Sequence, residues 1–181
     1  MKSVHPIDFR EKLVSITSQD PALCYQCGKC SAGCPVREYA ESAPNRVVRF
    51  VQLGFYEKAI SSPSIWLCAG CQTCSSRCPQ GFDLAKFMDA LREIAIENDV
   101  KPSDPDTLEF HKSFLNQIKN FGRSYEIGFL LEYKLKTQHF FQDLDLAPST
   151  LLKGKLGILP PKVKGKKQIK KIFDKSERDK Q

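Results

Sequence analysis

A chain of 181 residues, 41% hydrophobic and 27% charged, has room for one core plus an appendage and the composition of a soluble globular protein. No run approaches the roughly eighteen apolar residues of a membrane span, so a spanning helix is not expected. The net charge of +7 suggests a nucleic-acid partner until it is located: residues 153–181 carry eleven Lys and Arg against three Asp and Glu, and that +8 leaves residues 1–152 at −1. Without a recognition motif beside it, such a tail reads as a solvated terminus or an arm laid on an acidic partner, and nucleic-acid binding is not expected.

In chain order, "MKSVHPIDFREKLVSITSQD" scatters charges and has no apolar block, so no secretory leader is expected and the thiols are placed in a reducing cytoplasm. "FREKLVSI" predicts one or two amphipathic turns in a lead-in over 1–19. "CYQCGKCSAGCP" and "CAGCQTCSSRCP" then repeat one cysteine rhythm 44 residues apart, within a domain assigned to 20–99. Between them, Ser42 as cap, Pro44 in the first turn and Val47, Val48 and Val51 on one side predict a helix that Gly54 ends or divides. A turn is expected at Ser61 to Ser64 around Pro63, with "IWLC" leading into the second motif. Asp83 stands at an N-cap position, and Leu84, Phe87, Met88, Leu91, Ile94 and Ala95 keep a 3.6-residue period to about Asn98.

"KPSDPD" reads as a linker and a fresh helix start, opening a helical extension over 100–147. "TLEFHKSFLNQIKNF" has Leu108, Leu115, Ile118 and Phe121 as its apolar stripe and Gly122 as its stop. "SYEIGFLLEYKLKTQHFF" predicts a further helix despite Gly128. The basic residues 148–181, with Pro160 and Pro161 and little periodicity, are expected to be extended or disordered. Alternating strand patterns are scarce, and the fold class is mainly α.

Both cysteine motifs read C-x2-C-x2-C-x3-C-P, a spacing that wraps a short loop around one corner of a 4Fe-4S cubane. In two-cluster ferredoxins the fourth cysteine ligates the other cluster. That rule assigns Cys24, Cys27, Cys30 and Cys78 to one cluster, and Cys68, Cys71, Cys74 and Cys34 to a second. Zinc also takes four thiolates, but in two separated pairs. Disulfides need an oxidising compartment, and a thioredoxin-type thiol needs a single C-x-x-C beside a strand and helix. Gly28, Gly33 and Gly70 would let backbone amides approach cluster sulfides, and Lys29, Arg37 and Arg77 would offset cluster charge or be ordinary surface residues. Trp66, Leu67, Phe82 and Phe87 would shield the second cluster, or serve as plain core. His5, His111 and His139 are isolated, and there is no G-x-G-x-x-G or Walker loop. Two clusters with no substrate site and no catalytic residue describe an electron relay.

"CYQCGKCSAGCP", "NRVVRFVQLG" and "SIWLCAGCQTCSSRCPQGFDLAKFMDALREIA" closely resemble the C subunit of heterodisulfide reductase and its bacterial relatives, over roughly residues 20–98, and more weakly through "FHKSFL", "GRSYEIGFLLEYKL" and "GILPPKVKG". The resemblance implies an α-helical ferredoxin fold, related to the helical iron–sulfur domain of succinate dehydrogenase and fumarate reductase. It implies two 4Fe-4S clusters on the eight cysteines. It further implies a soluble oxidoreductase complex: a flavin-bearing A subunit supplies electrons, with a hydrogenase or dehydrogenase module as a candidate donor. A B subunit, whose sites use adjacent Cys-Cys pairs absent here, cleaves the disulfide of coenzymes M and B. Relatives in sulfur oxidisers, sulfate reducers and acetogens act on other terminal substrates. A succinate dehydrogenase or fumarate reductase iron–sulfur subunit is the alternative, but those chains add an N-terminal C-x4-C-x2-C domain and only 23 residues precede Cys24.

Overall fold

The computed structural model describes residues 6–100, 102, 105–138, 157, 160 and 163–178. The chain divides into two units, Met1–Pro105 and Asp106–Gln181. Among the described residues every regular element is a helix and there is no strand.

The first unit is built around the helix that the sequence marks most clearly. In chain order its helices are α1 (Pro6–Thr17), a 3-10 turn (Pro21–Leu23), α2 (Lys29–Ala32), α3 (Pro44–Gln52), α4 (Tyr56–Ile60), α5 (Pro63–Leu67), α6 (Thr73–Ser76) and α7 (Leu84–Glu97). α7 packs against α1, α4, α5 and α6. Its residues Phe87, Leu91, Ile94 and Ala95 are sealed from solvent, because a 3.6-residue apolar period puts them on one flank. Asp83 caps it by accepting from the Lys86 amide at 3.1 Å. Asp99 ends it in a left-handed conformation (φ 53°), where the Val100 amide reaches the Ala95 carbonyl and the Asp99 amide the Ile96 carbonyl.

α3 stops in the same way: Gly54 (φ 78°) lets the Phe55 amide reach the Phe50 carbonyl at 2.8 Å, and α4 starts two residues later. The expected cap is displaced. Ala43, not Ser42, is the N-cap of α3, and its side chain caps nothing. The Ser42 carbonyl instead accepts from the Ser64 hydroxyl. The turn expected around Pro63 is the start of α5, with the proline in the first turn where its missing N–H costs nothing.

The expected lead-in is longer and more integral than two turns. α1 runs for 12 residues, and Phe9, Leu13 and Thr17, four apart, are buried. The Phe9 ring lies 4.5 Å from that of Tyr56, and Lys12 pairs with Glu97 at the end of α7. Repeated apolar spacing of four outweighs the polar look of the segment.

The second unit contains α8 (Pro105–Phe121), α9 (Glu126–Thr137) and α10 (Lys166–Arg178). Gly122 (φ 82°) ends α8 as expected. The predicted apolar stripe is not what α8 buries: Leu115 is 50% exposed, whereas Ser113 and Gln117 are buried. A polar knot sets the facing. The Glu132 carboxylate accepts from Gln117 at 2.6 Å, from Asn116 at 2.9 Å and from Lys136 at 2.9 Å. Phe110 and Phe114 meet Phe129 edge-on at 4.9 and 6.1 Å. Gly128 is required by closeness, since a Cβ there would collide with the Tyr125 ring and crowd Gln117 Oε1 at 2.8 Å.

The tail corrects an expectation. Residues 166–178 are not extended but form α10, tied to α8 by Lys119, which pairs with Glu177 at 2.7 Å and Asp174 at 3.4 Å. The acidic residues that the net charge hides supply the anchor. Most of the remaining tail lies outside the described residues.

Candidate metal centre

The two cysteine motifs fold into one backbone shape twice. Gln26 (φ 63°) and Gly28 (φ 78°) are left-handed in the first, and Gly70 (φ 60°) and Gln72 (φ 63°) in the second. Glycine and glutamine exchange places between the copies, so the turn itself demands both positions. A Cβ at Gly28 or Gly70 would meet nothing within 4 Å; the sign of φ, not crowding, calls for glycine there. Each turn launches a helix of four residues, α2 with Cys30 and α6 with Cys74.

The serine after each third cysteine then reaches across to the next long helix. Ser31 Oγ accepts from the Asn45 amide at 3.1 Å and donates to Asn45 Oδ1 at 2.6 Å. Ser75 Oγ accepts from the Ala85 amide at 3.2 Å and donates to Asp83 Oδ1 at 2.6 Å. Asn45 and Ala85 are both the second residue of their helices. Ser31 thus supplies from a distance the cap that Ala43 cannot give. The helices answer with a side chain in their ninth position. Gln52 donates to the carbonyls of Pro21 at 2.9 Å and Cys24 at 2.7 Å. Arg92 donates to those of Ile65 at 2.7 Å and Cys68 at 2.9 Å. Each motif is therefore pinned at its first cysteine and just after its third.

Two cavities result. One, of about 400 Å³ counting space open to solvent, is lined by Cys24, Cys27, Cys30 and Cys78, with Phe82, Val48 and Leu84 in its wall. The other, of about 510 Å³, is lined by Cys34, Cys68, Cys71 and Cys74, with Val36, Ala85 and Met88 behind them. Each cavity takes the first three thiols of one motif together with the fourth cysteine of the other. Cys74 also lines the first cavity, so the two share a wall. All eight cysteines are free thiols; Cys27 and Cys71 are exposed and the other six half-buried.

Burial pushes the thiols of Cys24, Cys30, Cys68 and Cys74 above their ordinary value. Hydrogen bonding with the Thr73 hydroxyl, then with the Thr73 amide, holds exposed Cys71 below its own. Four soft sulfur donors around an otherwise apolar chamber suit iron and sulfide. A lone zinc ion needs four sulfurs about 2.3 Å from one point. Among the described residues no three His, Cys, Asp or Glu side chains converge on a single-ion position.

The remaining expected site residues are dispersed. Phe82 lines the first cavity and not the second; its ring lies 5.4 Å from that of Phe87, which is core. Trp66 is buried, and neither it nor Leu67 lines either cavity. A Cβ at Gly33 would strike the Arg77 guanidinium, so this glycine makes room for an arginine. Lys29 is exposed on the rim of the first cavity, and Arg37 donates to the Ala40 carbonyl at 3.4 Å. The His111 ring meets Phe110 edge-on at 6.0 Å, while His5 and His139 lie outside the described residues. Gln52, Arg92, Ser31 and Ser75 were not singled out from the sequence. Only the serines carry a signal there, by recurring at the 44-residue offset of the cysteines.

The 4Fe-4S dicluster domain family matches residues 23–83. The iron–sulfur C subunit of the CoB–CoM heterodisulfide reductase of Methanopyrus kandleri is 33% identical over 92 residues, 51% of this chain and 45% of its own length. The iron–sulfur C 2 subunit of the CoB–CoM heterodisulfide reductase of Methanocaldococcus jannaschii is 36% identical over 74 residues, 41% of this chain and 39% of its own. In Methanothermobacter thermautotrophicus, the C subunit of the H2:CoB–CoM heterodisulfide, ferredoxin reductase is 30% identical over 88 residues, 49% of this chain and 48% of its own. The chain spans about half the length of the curated relatives it matches, or less. The likeness to heterodisulfide reductase C subunits read from the sequence holds over that span, and the matched domain is an iron–sulfur one.

Proposed function

We propose that this chain is the electron-relay subunit of a heterodisulfide-reductase-type complex, with Cys24, Cys27, Cys30 and Cys78 holding one 4Fe-4S cluster and Cys34, Cys68, Cys71 and Cys74 a second. The observation that carries the reading is the pair of adjoining thiol-lined cavities, each completed by a cysteine of the other motif. When bound, such a cluster takes up and returns one electron while no substrate bond changes. The chain's own residues do the rest. Apolar side chains behind the thiols, Val48, Phe82 and Leu84 in one cavity and Val36, Ala85 and Met88 in the other, limit solvation on the inner side and strengthen local charges there. Gln52 and Arg92 hold the first cysteine of each motif in place. Exposed Cys27 and Cys71 mark the edges at which a partner's cofactor can come close.

In this reading a flavin-bearing A subunit delivers electrons and a B subunit spends them on a disulfide. No helix among the described residues is long and apolar enough to cross a membrane. Anaerobic purification with iron and acid-sulfide analysis tests the proposal. About eight irons and eight sulfides per chain are expected for two cubanes; zinc, or a colourless folded protein, overturns it. Co-purification with a flavoprotein and with a protein bearing Cys-Cys pairs is expected of the assembled complex.

A further inference from the structure

The two sites are built on one plan and differ in charge at two inner positions: Asp83 stands opposite Ser75 where Asn45 stands opposite Ser31, and Arg92 takes the place of Gln52. Gln52 and Arg92 stand ninth in α3 and α7 and grip equivalent carbonyls, those of the first cysteine and of the residue three before it. One side chain is a neutral amide, the other a guanidinium. We infer that Arg92 biases the electron toward the second cavity, making the cluster held by Cys34, Cys68, Cys71 and Cys74 the higher-potential member of the pair. The inference rests on the iron–sulfur reading above.

Other charges have to be weighed. The Asp83 carboxylate opposes Arg92, but it caps the amide end of α7, accepting from the Lys86 amide at 3.1 Å and the Ser75 hydroxyl at 2.6 Å, and the helix dipole offsets it. Three residues before Gln52 and Arg92 the signs are reversed, with Arg49 on α3 and Asp89 on α7. Arg49 is exposed; it donates to Gln52 at 3.1 Å and lines an open surface depression with Cys24, where solvent screens it. Asp89 pairs with Arg92 at 3.5 Å but is 62% exposed, whereas the Arg92 side chain is 20% exposed. Lys29, the charged side chain on the first cavity's rim, is exposed, as is Arg77 beside Gly33. Water and salt screen an exposed charge far more than one enclosed by protein. Arg92 lies inside, with two of its nitrogens on the backbone that leads into Cys68. A fixed cation beside a site that gains an electron stabilises the reduced state.

The test is potentiometry of the full chain, purified without air and followed by electron paramagnetic resonance, after iron and sulfide have been counted. Arg92→Gln copies the neutral arrangement that Gln52 already shows to be compatible with the fold. It is expected to lower the higher of two midpoints by about tenfold in electron partition, about 59 mV for one electron, and to leave the lower one in place. Arg92→Lys keeps the charge and is expected to leave both near their original values. Gln52→Lys is expected to raise the lower midpoint. The inference is overturned if Arg92→Gln moves neither midpoint, if it moves only the lower one, or if Arg92→Lys moves the higher one as far as Arg92→Gln does. Protein lacking iron fails the underlying reading instead, and the two failures are told apart before any potential is read.

Discussion

Cys34 and Cys78 are the residues on which the two halves of the site depend. Each belongs by sequence to one motif and lines the cavity of the other. Cys78→Ser is therefore expected to damage the cluster held with Cys24, Cys27 and Cys30, and Cys34→Ser the one held with Cys68, Cys71 and Cys74. Loss of one signal per variant in magnetic resonance, with the damaged site identified by combining each change with Arg92→Gln, checks the crossing. If each substitution harms the cluster of its own motif, the ligand sets are wrong although the relay reading stands. Ser31 and Ser75 belong to this scale too, because a single hydroxyl in each copy joins the cysteine turn to the amide end of the following helix.

Among the elements, α7 and α3 were legible in the sequence because local signals agree there: a capping aspartate or an early proline, an unbroken apolar period, and a left-handed stop. α8 was not. Its apolar letters pointed one way, while its buried face is decided by a carboxylate on α9 that no local window contains. Burial raises the Glu132 carboxyl, but hydrogen bonds from Lys136, Asn116 and Gln117 outweigh it and hold the group below its ordinary value of 4.5. A carboxyl lowered by folding stabilises above its unfolded value and loses that contribution as pH falls through the folded one. Glu132→Ala is accordingly expected to cost about 1–3 kcal/mol near neutral pH, and the gap from the parent should close in acid. Hydrogen exchange of the α9 amides across pH, corrected for intrinsic rates, measures it; a gap that persists in acid would show that Glu132 acts by packing and not by charge.

For the molecule as a whole, the first unit joins one long, well-capped helix to several pieces of four or five residues. Helices that short do not persist unaided in water, so α2 and α6 depend on the hydrogen bonds of Ser31 and Ser75 and, in the iron–sulfur reading, on the clusters as well. Stripping the metal with a chelator under oxidising conditions should lower helicity and raise exchange across 24–34 and 68–78, with the second unit unchanged. Unaltered protection of both motifs after complete iron loss would refute that coupling.

The sequence by itself determined the eight thiols, their doubled rhythm, the helical class and the strongest helices, because spacing and periodicity are properties of a linear string. Tertiary structure alone decided that the two thiol-lined cavities share a wall at Cys74, that Gln52 and Arg92 return to the cysteine backbone, that a serine caps a helix from fourteen residues away, and that part of a basic tail is helical. Those outcomes come from groups distant in sequence meeting in space, and no local pattern encodes a partner that only folding brings near.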